Sequence, residues 1–134
     1  MFVTAFLGYL HLPTGQFTYV NAGHNPPLLK QDQAFDWLKG KSGFVLAGME
    51  GMPYKEQMIQ LSNHNRLFLY TDGVTEAVNQ ENQLFSEDRL MSMANQYADL
   101  SPKEFTEQIR KEIDCFAEGA EQADDITMLA VVLT

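Results

Sequence analysis

Acidic residues lie at the ends of two strongly apolar segments. Asp72 and Gly73 directly follow one of these segments, and Asp124 and Asp125 precede the other. Carboxylate oxygens are the ligands that hard divalent cations such as Mg²⁺ and Mn²⁺ prefer in proteins. Gly73 has no Cβ, so backbone, water or an ion can approach it closely. The pattern is compatible with metal-dependent chemistry at the ends of two strands.

Both dipeptides also have a purely structural interpretation. Asp-Gly is a common turn dipeptide. Asp124-Asp125 can simply cap or solubilise a loop. Residues 72–83 lack the ligand spacing and the sixth-position glycine of a calcium-binding loop. Sequence alone leaves the structural and the metal-binding interpretations open.

The sequence contains no motif for the other common catalytic chemistries. It has neither a phosphate-binding P-loop nor a Gly-x-Ser-x-Gly nucleophile motif. Its three histidines show no zinc-ligand spacing with Cys115, and Cys115 is predicted to be a partly buried structural thiol. Hard-metal chemistry is therefore the one enzymatic class that the residues permit.

Composition limits the class of protein further. The chain has 134 residues, 45% of them hydrophobic, and a formal net charge of −9, which predicts one α+β domain with its own core. Such a charge gives no electrostatic reason to bind nucleic acid or an anionic membrane. Because Lys30 is the first lysine or arginine and no segment approaches the roughly 20 apolar residues of a membrane helix, we expect a cytoplasmic protein.

The order of elements predicts strands followed by helices and a last strand. Period-two alternation and turn residues indicate a hairpin of residues 2–12 and 16–21, and a second hairpin of residues 55–61 and 66–71. Capping residues indicate helices that begin near Ser86 and Ser101. Further strands are predicted at residues 28–30, 34–38, 44–47 and 126–133, the last of them fully buried.

The pairing of the two apolar strands decides whether the acidic residues meet. We expect antiparallel neighbours to hold Asp72 and Asp124 at opposite ends. Strands that run the same way through different connections would also separate them. A parallel pairing, or a crossing between two sheets, would bring them together. The residues alone do not choose among these arrangements.

Four segments of the chain, taken together, resemble one protein family. In order along the chain they resemble the SpoIIE/RsbU branch of bacterial serine/threonine phosphatases, relatives of the type 2C metal-dependent phosphatases. The segments are Met-Phe-Val-Thr-Ala-Phe at residues 1–6, Tyr-Val-Asn-Ala-Gly-His-Asn-Pro-Pro at residues 19–27, Leu-Phe-Leu-Tyr-Thr-Asp-Gly-Val-Thr-Glu-Ala at residues 67–77 and Ala-Asp-Asp-Ile-Thr at residues 123–127.

The resemblance implies an antiparallel β-sandwich flanked by helices, with a metal site at one end. It carries Asp72 and Asp124 over as catalytic metal ligands and includes Gly73 and Asp125 in the same metal site, Asp125 at a neighbouring family position. The implied reaction is hydrolysis of phosphoserine or phosphothreonine by a water held between two Mn²⁺ or Mg²⁺ ions. The implied substrate is a phosphorylated anti-anti-sigma-like protein in a partner-switching pathway that controls a sigma factor.

The chain departs from the family pattern before its first motif. Family members carry two upstream acidic motifs, Gly-Asp-x-x-Asp and Gly-Asp-Val-x-Gly-x-Gly, whereas the first aspartate here is Asp32. Residues 1–134 therefore resemble the C-terminal part of the domain. We expect weak or absent metal binding, little or no activity and self-association through exposed strands. The alternative is a non-catalytic, phosphatase-like module that binds a protein partner.

Overall fold

The computed structural model describes residues 2–38, 40, 42–122 and 124–134. These residues form two antiparallel sheets and three helices, as the α+β prediction expects. The strands are β1 (Ala5–His11), β2 (Gln16–Ala22), β3 (Leu28–Lys30), β4 (Phe35–Trp37), β5 (Gln57–Gln60), β6 (Arg66–Tyr70) and β7 (Met128–Val132). The helices are α1 (Asp72–Thr75), α2 (Ser86–Gln96) and α3 (Pro102–Phe116).

The first sheet has the order β1-β2-β5. Its β1-β2 hairpin confirms the first predicted hairpin, and Leu7 lies opposite Val20 in the antiparallel register. Gly15 adopts a φ of 75° in the connecting turn and donates its N–H to the carbonyl of His11 at 2.8 Å. Strand β1 forms one edge of this sheet, and Leu7 and Tyr9 on its outer face are exposed.

The second sheet has the order β4-β3-β6-β7, so the predicted central position of β6 is confirmed. The predicted hairpin between β5 and β6 is wrong, because β5 pairs with β2 and β6 pairs with β3 and β7. Residues 62–65 instead cross from one sheet to the other. The Asn65 side chain accepts from the Ser62 N–H at 2.9 Å and donates to the Gln31 carbonyl at 3.2 Å, which fixes this crossing.

Two further strand predictions need correction. Residues 44–47 form no strand and contribute only the isolated bridge of Leu46 to Val3, beside that of Gly43 to Ala22. Strand β7 is not fully buried, because it lies at the edge of its sheet and Leu129 is 56% exposed. An apolar strand at an edge keeps one side of its backbone unpaired within its own sheet.

The two faces of β6 serve two separate cores. Leu67 packs toward the first sheet with Phe17, Tyr19, Leu38 and Leu61, which fill the space between the sheets. Phe68 and Tyr70, on the opposite face, pack with the helices. The chain thus forms a sandwich of two sheets with helices on the outer side of the second sheet.

Helix α3 contributes three of the buried residues of the second core. Ser101 caps it, accepting from the Glu104 N–H at 3.2 Å, and Pro102 occupies its first turn, as predicted. Its predicted apolar side is confirmed, and the buried residues on it are Phe105, Ile109 and Ile113. By contrast Cys115 is exposed, so the prediction of a partly buried thiol is wrong.

Among the residues that the structure describes, no helix combines the length and apolarity needed to cross a bilayer.

Candidate functional site

The end of β6 and the beginning of β7 meet at one end of the second sheet. Tyr70 is the register partner of Met128 in the antiparallel pair. Thr71 continues the contact by donating its N–H to the carbonyl of Thr127 at 3.1 Å. The expectation that antiparallel neighbours separate the two acidic segments, and that a parallel pairing would bring them together, is wrong. In an antiparallel pair, the C-terminal end of one strand lies beside the N-terminal end of its neighbour.

The Thr71 side chain joins the same two segments. Its hydroxyl accepts from the Thr127 N–H at 3.1 Å and lies 3.3 Å from the Asp125 carbonyl, to which it donates. Thr71 occupies the N-cap position of α1 but makes no side-chain capping bond to that helix. Sequence reasoning missed this residue. The available signal was a cap-forming residue type directly before Asp72.

Gly73 lies against the backbone of the second acidic segment. Gly73 is buried, and a Cβ built on it would come within 2.8 Å of the Asp125 carbonyl carbon and closer still to its oxygen. The absence of a side chain therefore admits another stretch of backbone, which is one of the three possibilities expected from sequence. The structure brings the backbones of residues 73 and 125 into direct contact.

The three carboxylates at this end remain open to water. Asp72 is the first residue of α1, and Asp72, Asp124 and Asp125 are all exposed. One oxygen of Asp124 accepts the N–H of Asp125 at 2.8 Å, and the Asp124 carbonyl accepts from Gln122 Nε2 at 2.9 Å. The Asp124 side chain is thus oriented by its own loop, while its segment is joined to that of Asp72 through the backbone.

A cavity of about 400 Å³ opens beside these residues. Gly73 and Asp124 line it, together with the end of α3, whereas Asp72 lies outside its lining. Neither lysine nor arginine occurs among the described residues that line it. The acidic lining would therefore repel a phosphate group unless a cation were bound there. The acidic lining residues are Glu76, Asp114, Glu118, Glu121 and Asp124.

The donors at this end suit a hard divalent cation in chemical kind. Asp72, Asp124 and Asp125 offer carboxylate oxygens, which suit Mg²⁺ and Mn²⁺. Within the described ranges, no group of three or more His, Cys, Asp or Glu side chains is arranged to hold a metal ion. The described residues at this end therefore supply carboxylate oxygens without a preassembled metal-binding group.

Tyr70 anchors β6 immediately before the site. Its side chain is 2% exposed, and its ring stacks on Phe68 with ring centroids 5.8 Å apart. Burial, with a smaller contribution from the Glu87 carboxylate, raises the pKa of the Tyr70 phenol above its ordinary value. The phenol therefore stays neutral at physiological pH, which suits a packing role.

The architecture matches that of solved phosphatase domains. The SiaA-PP2C domain of Pseudomonas aeruginosa superposes with a TM-score of 0.85 and 19% identity, over 98% of this chain and 52% of that one. The Mn-presoaked phosphatase domain of the cell fate determinant SpoIIE from Bacillus subtilis gives a TM-score of 0.72 and 17% identity, over 97% of this chain and 56% of that one. The fold is that of a PP2C-type phosphatase domain, matched over about half of each solved chain.

The chain belongs to the SpoIIE family. The family model described as "Stage II sporulation protein E (SpoIIE)" matches residues 1–134. Protein IcfG of Synechocystis is 31% identical over 132 residues, 98% of this chain and 20% of that protein. Phosphoserine phosphatase RsbU of Bacillus subtilis is 31% identical over 111 residues, 81% of this chain and 32% of that protein. The chain thus spans a third or less of these two relatives.

Proposed function

We propose that this chain is the C-terminal part of a metal-dependent phosphoserine/phosphothreonine protein phosphatase domain. In this proposal Asp72 and Asp124 are the catalytic metal ligands, and Gly73 and Asp125 complete their immediate surroundings. One observation carries the proposal: backbone and hydroxyl hydrogen bonds hold the acidic segments after β6 and before β7 side by side. Membership of the SpoIIE family supports it.

The proposed cofactors are Mn²⁺ or Mg²⁺, two ions in the complete domain. The exposed carboxylates and the acidic cavity support this choice, because a phosphate group needs a cation to approach them. The solved SpoIIE domain was presoaked with Mn, and RsbX has been solved in complex with magnesium. When bound, such ions lower the pKa of a water molecule and polarise the phosphoryl oxygens. This chain's own contribution is to hold the ions and to admit the phosphorylated side chain.

The proposed substrate is a phosphorylated anti-anti-sigma-like protein in a partner-switching pathway that regulates a sigma factor. The motif resemblance and the relative named phosphoserine phosphatase RsbU support this assignment. Such a pathway would place the protein in the cytoplasm.

We expect the isolated chain to bind Mn²⁺ weakly through the acidic end of the second sheet. The measurement is an NMR titration of the ¹⁵N-labelled chain, in which paramagnetic Mn²⁺ should broaden the amide signals of residues 72, 73, 124 and 125 first. Asp72→Asn removes a ligand charge and should weaken the apparent affinity about tenfold, equivalent to about 1.4 kcal/mol. Asp36→Asn, an exposed position on β4 at the other edge of the sheet, is the matched control.

The same samples test catalysis and the alternative function. With Mn²⁺ and a phosphoserine peptide, the isolated chain should release little or no phosphate, because the described residues assemble no group of three or more metal-ligating side chains. Phosphate release that Asp72→Asn abolishes would contradict the prediction that the isolated chain is inactive. It would at the same time support the phosphatase assignment. Broadening that is absent, or that Asp72→Asn leaves unchanged, would contradict the metal centre and favour a non-catalytic binding module.

We also propose that the isolated chain self-associates through the edge of β1 that pairs with no other strand among the described residues. This strand carries no lysine, arginine, aspartate or glutamate, and Leu7 and Tyr9 on its outer face are 74% and 69% exposed. Uncharged apolar edges of this kind pair readily with other strands. An antiparallel pairing of two copies centred on Gly8 would place Leu7 of one copy opposite Tyr9 of the other.

Leu7→Lys should convert this dimer into a monomer, because a charge at an edge opposes strand pairing. Light scattering coupled to size-exclusion chromatography measures the mass. Met58→Lys, 59% exposed on the opposite edge strand β5 of the same sheet, should leave the dimer intact. A monodisperse wild-type monomer at high concentration would contradict the proposal, and dissociation by both variants would exclude the β1 edge as the specific contact.

A further inference from the structure

We infer that Thr71 is a positioning residue for the candidate metal centre. Its hydroxyl fixes the segment that carries Asp124 and Asp125 relative to the segment that carries Asp72. The inference rests on the proposed function, since it concerns the same centre. It adds a residue that is not itself a ligand.

The hydrogen-bonding capacity of Thr71 is directed across the site. A threonine at a helix N-cap ordinarily accepts from a backbone N–H in the first turn of its own helix. Thr71 makes no such bond; its hydroxyl accepts from Thr127 N at 3.1 Å and donates to the Asp125 carbonyl at 3.3 Å. Its main-chain N–H adds a third bond, to the Thr127 carbonyl at 3.1 Å.

This arrangement matters because the candidate ligands make no cross-link of their own that the structure records. Asp72 is adjacent in sequence to Thr71, and Asp124 is adjacent to Asp125, whose carbonyl the hydroxyl binds. All three carboxylates are exposed, so their relative position depends on the backbone that carries them. Without the hydroxyl, the Thr71–Thr127 backbone bond remains, while the Asp125 carbonyl and the Thr127 N–H lose a partner.

The test compares Thr71→Val, which keeps the shape of the side chain, with Thr71→Ser, which keeps the hydroxyl. The first readout is hydrogen exchange of the Thr127 amide in the metal-free chain. Thr71→Val should accelerate it about tenfold, the effect of losing roughly one hydrogen bond. The second readout is Mn²⁺ affinity from paramagnetic broadening, which Thr71→Val should weaken about fivefold. Thr71→Ser should stay within about twofold of wild type in both readouts.

Thr75→Val is the matched control. Its hydroxyl lies 3.4 Å from the Asp72 carbonyl within α1 and does not bridge the two segments. It should therefore leave the exchange of the Thr127 amide unchanged. If Thr71→Val does not fold, Thr71→Ala provides the same loss of the hydroxyl, and the same changes are expected.

The possible failures are distinguishable. If wild type binds Mn²⁺ and Thr71→Val binds it equally well, the positioning role is wrong and the metal centre stands. If Thr71→Ser weakens Mn²⁺ binding as much as Thr71→Val does, the hydroxyl is not responsible and the inference is overturned. If wild type shows no broadening at residues 72, 73, 124 and 125, the proposed centre itself fails, and the inference fails with it.

Discussion

Replacing Gly73 with alanine should lower the free energy of unfolding by about 3 kcal/mol, the upper end of the usual cost of overpacking. The new Cβ would meet the carbonyl group of Asp125, and this neighbour is backbone that no side-chain rotation can move aside. Relief requires α1 to move away from the segment before β7. Urea denaturation of the two proteins measures the loss.

The direction of the change distinguishes two physical effects. Gly73 lies within the helix α1, where alanine is ordinarily more favourable than glycine by about 1 kcal/mol. Helix propensity therefore predicts a more stable protein, whereas the contact with Asp125 predicts a less stable one. Glu76→Ala, an exposed position directly after the same helix, should change stability by no more than about 0.5 kcal/mol. A Gly73→Ala variant as stable as wild type would refute the close contact between the segments.

Helix α3 shows what periodicity predicts well. Its start follows from the Ser101 cap and from Pro102, and its buried side follows from apolar residues spaced three and four apart. Both features depend on residues that are close in sequence. Local chemistry therefore predicted this helix and its buried face.

Strand pairing shows why the remainder of the fold was less predictable. Residues 62–65 suit a hairpin loop, yet they carry the chain from β5 in the first sheet to β6 in the second. Asn65 supports this crossing, because its side chain donates to the Gln31 carbonyl, 34 residues earlier in the chain. A contact of that sequence separation leaves no local signature.

The candidate site was likewise predictable only in part from the sequence. The residue types at positions 72, 73, 124 and 125 are compatible with divalent-metal chemistry on the sequence alone. Their juxtaposition depends on β6 and β7 pairing in antiparallel register, with Tyr70 opposite Met128. The Thr71 hydroxyl bonds depend on the same register, so this residue emerged only from the structure.

Replacing Phe105 with alanine should cost about 4 kcal/mol of unfolding free energy, within the range for deleting a buried phenylalanine side chain. Phe105 is 2% exposed at the centre of the core between α3 and the second sheet. Its ring packs edge-on against Phe68 with ring centroids 5.1 Å apart, and packs in a tilted orientation against Phe35 with ring centroids 5.6 Å apart. Alanine would remove both contacts and leave a cavity that the surrounding rings cannot fill without moving.

This loss is large compared with the roughly 5 to 15 kcal/mol of total stability that single domains have. Urea denaturation followed by circular dichroism should show a much lower midpoint for Phe105→Ala. Phe105→Leu, which keeps most of the apolar volume, should cost about 1.5 kcal/mol. Phe2→Ala is the matched control, since Phe2 is 62% exposed and should change stability by less than about 0.5 kcal/mol. Equal midpoints for Phe105→Ala and Phe2→Ala would contradict the placement of α3 against β6, and with it the support that this core gives to the end of the sheet where Asp72 lies.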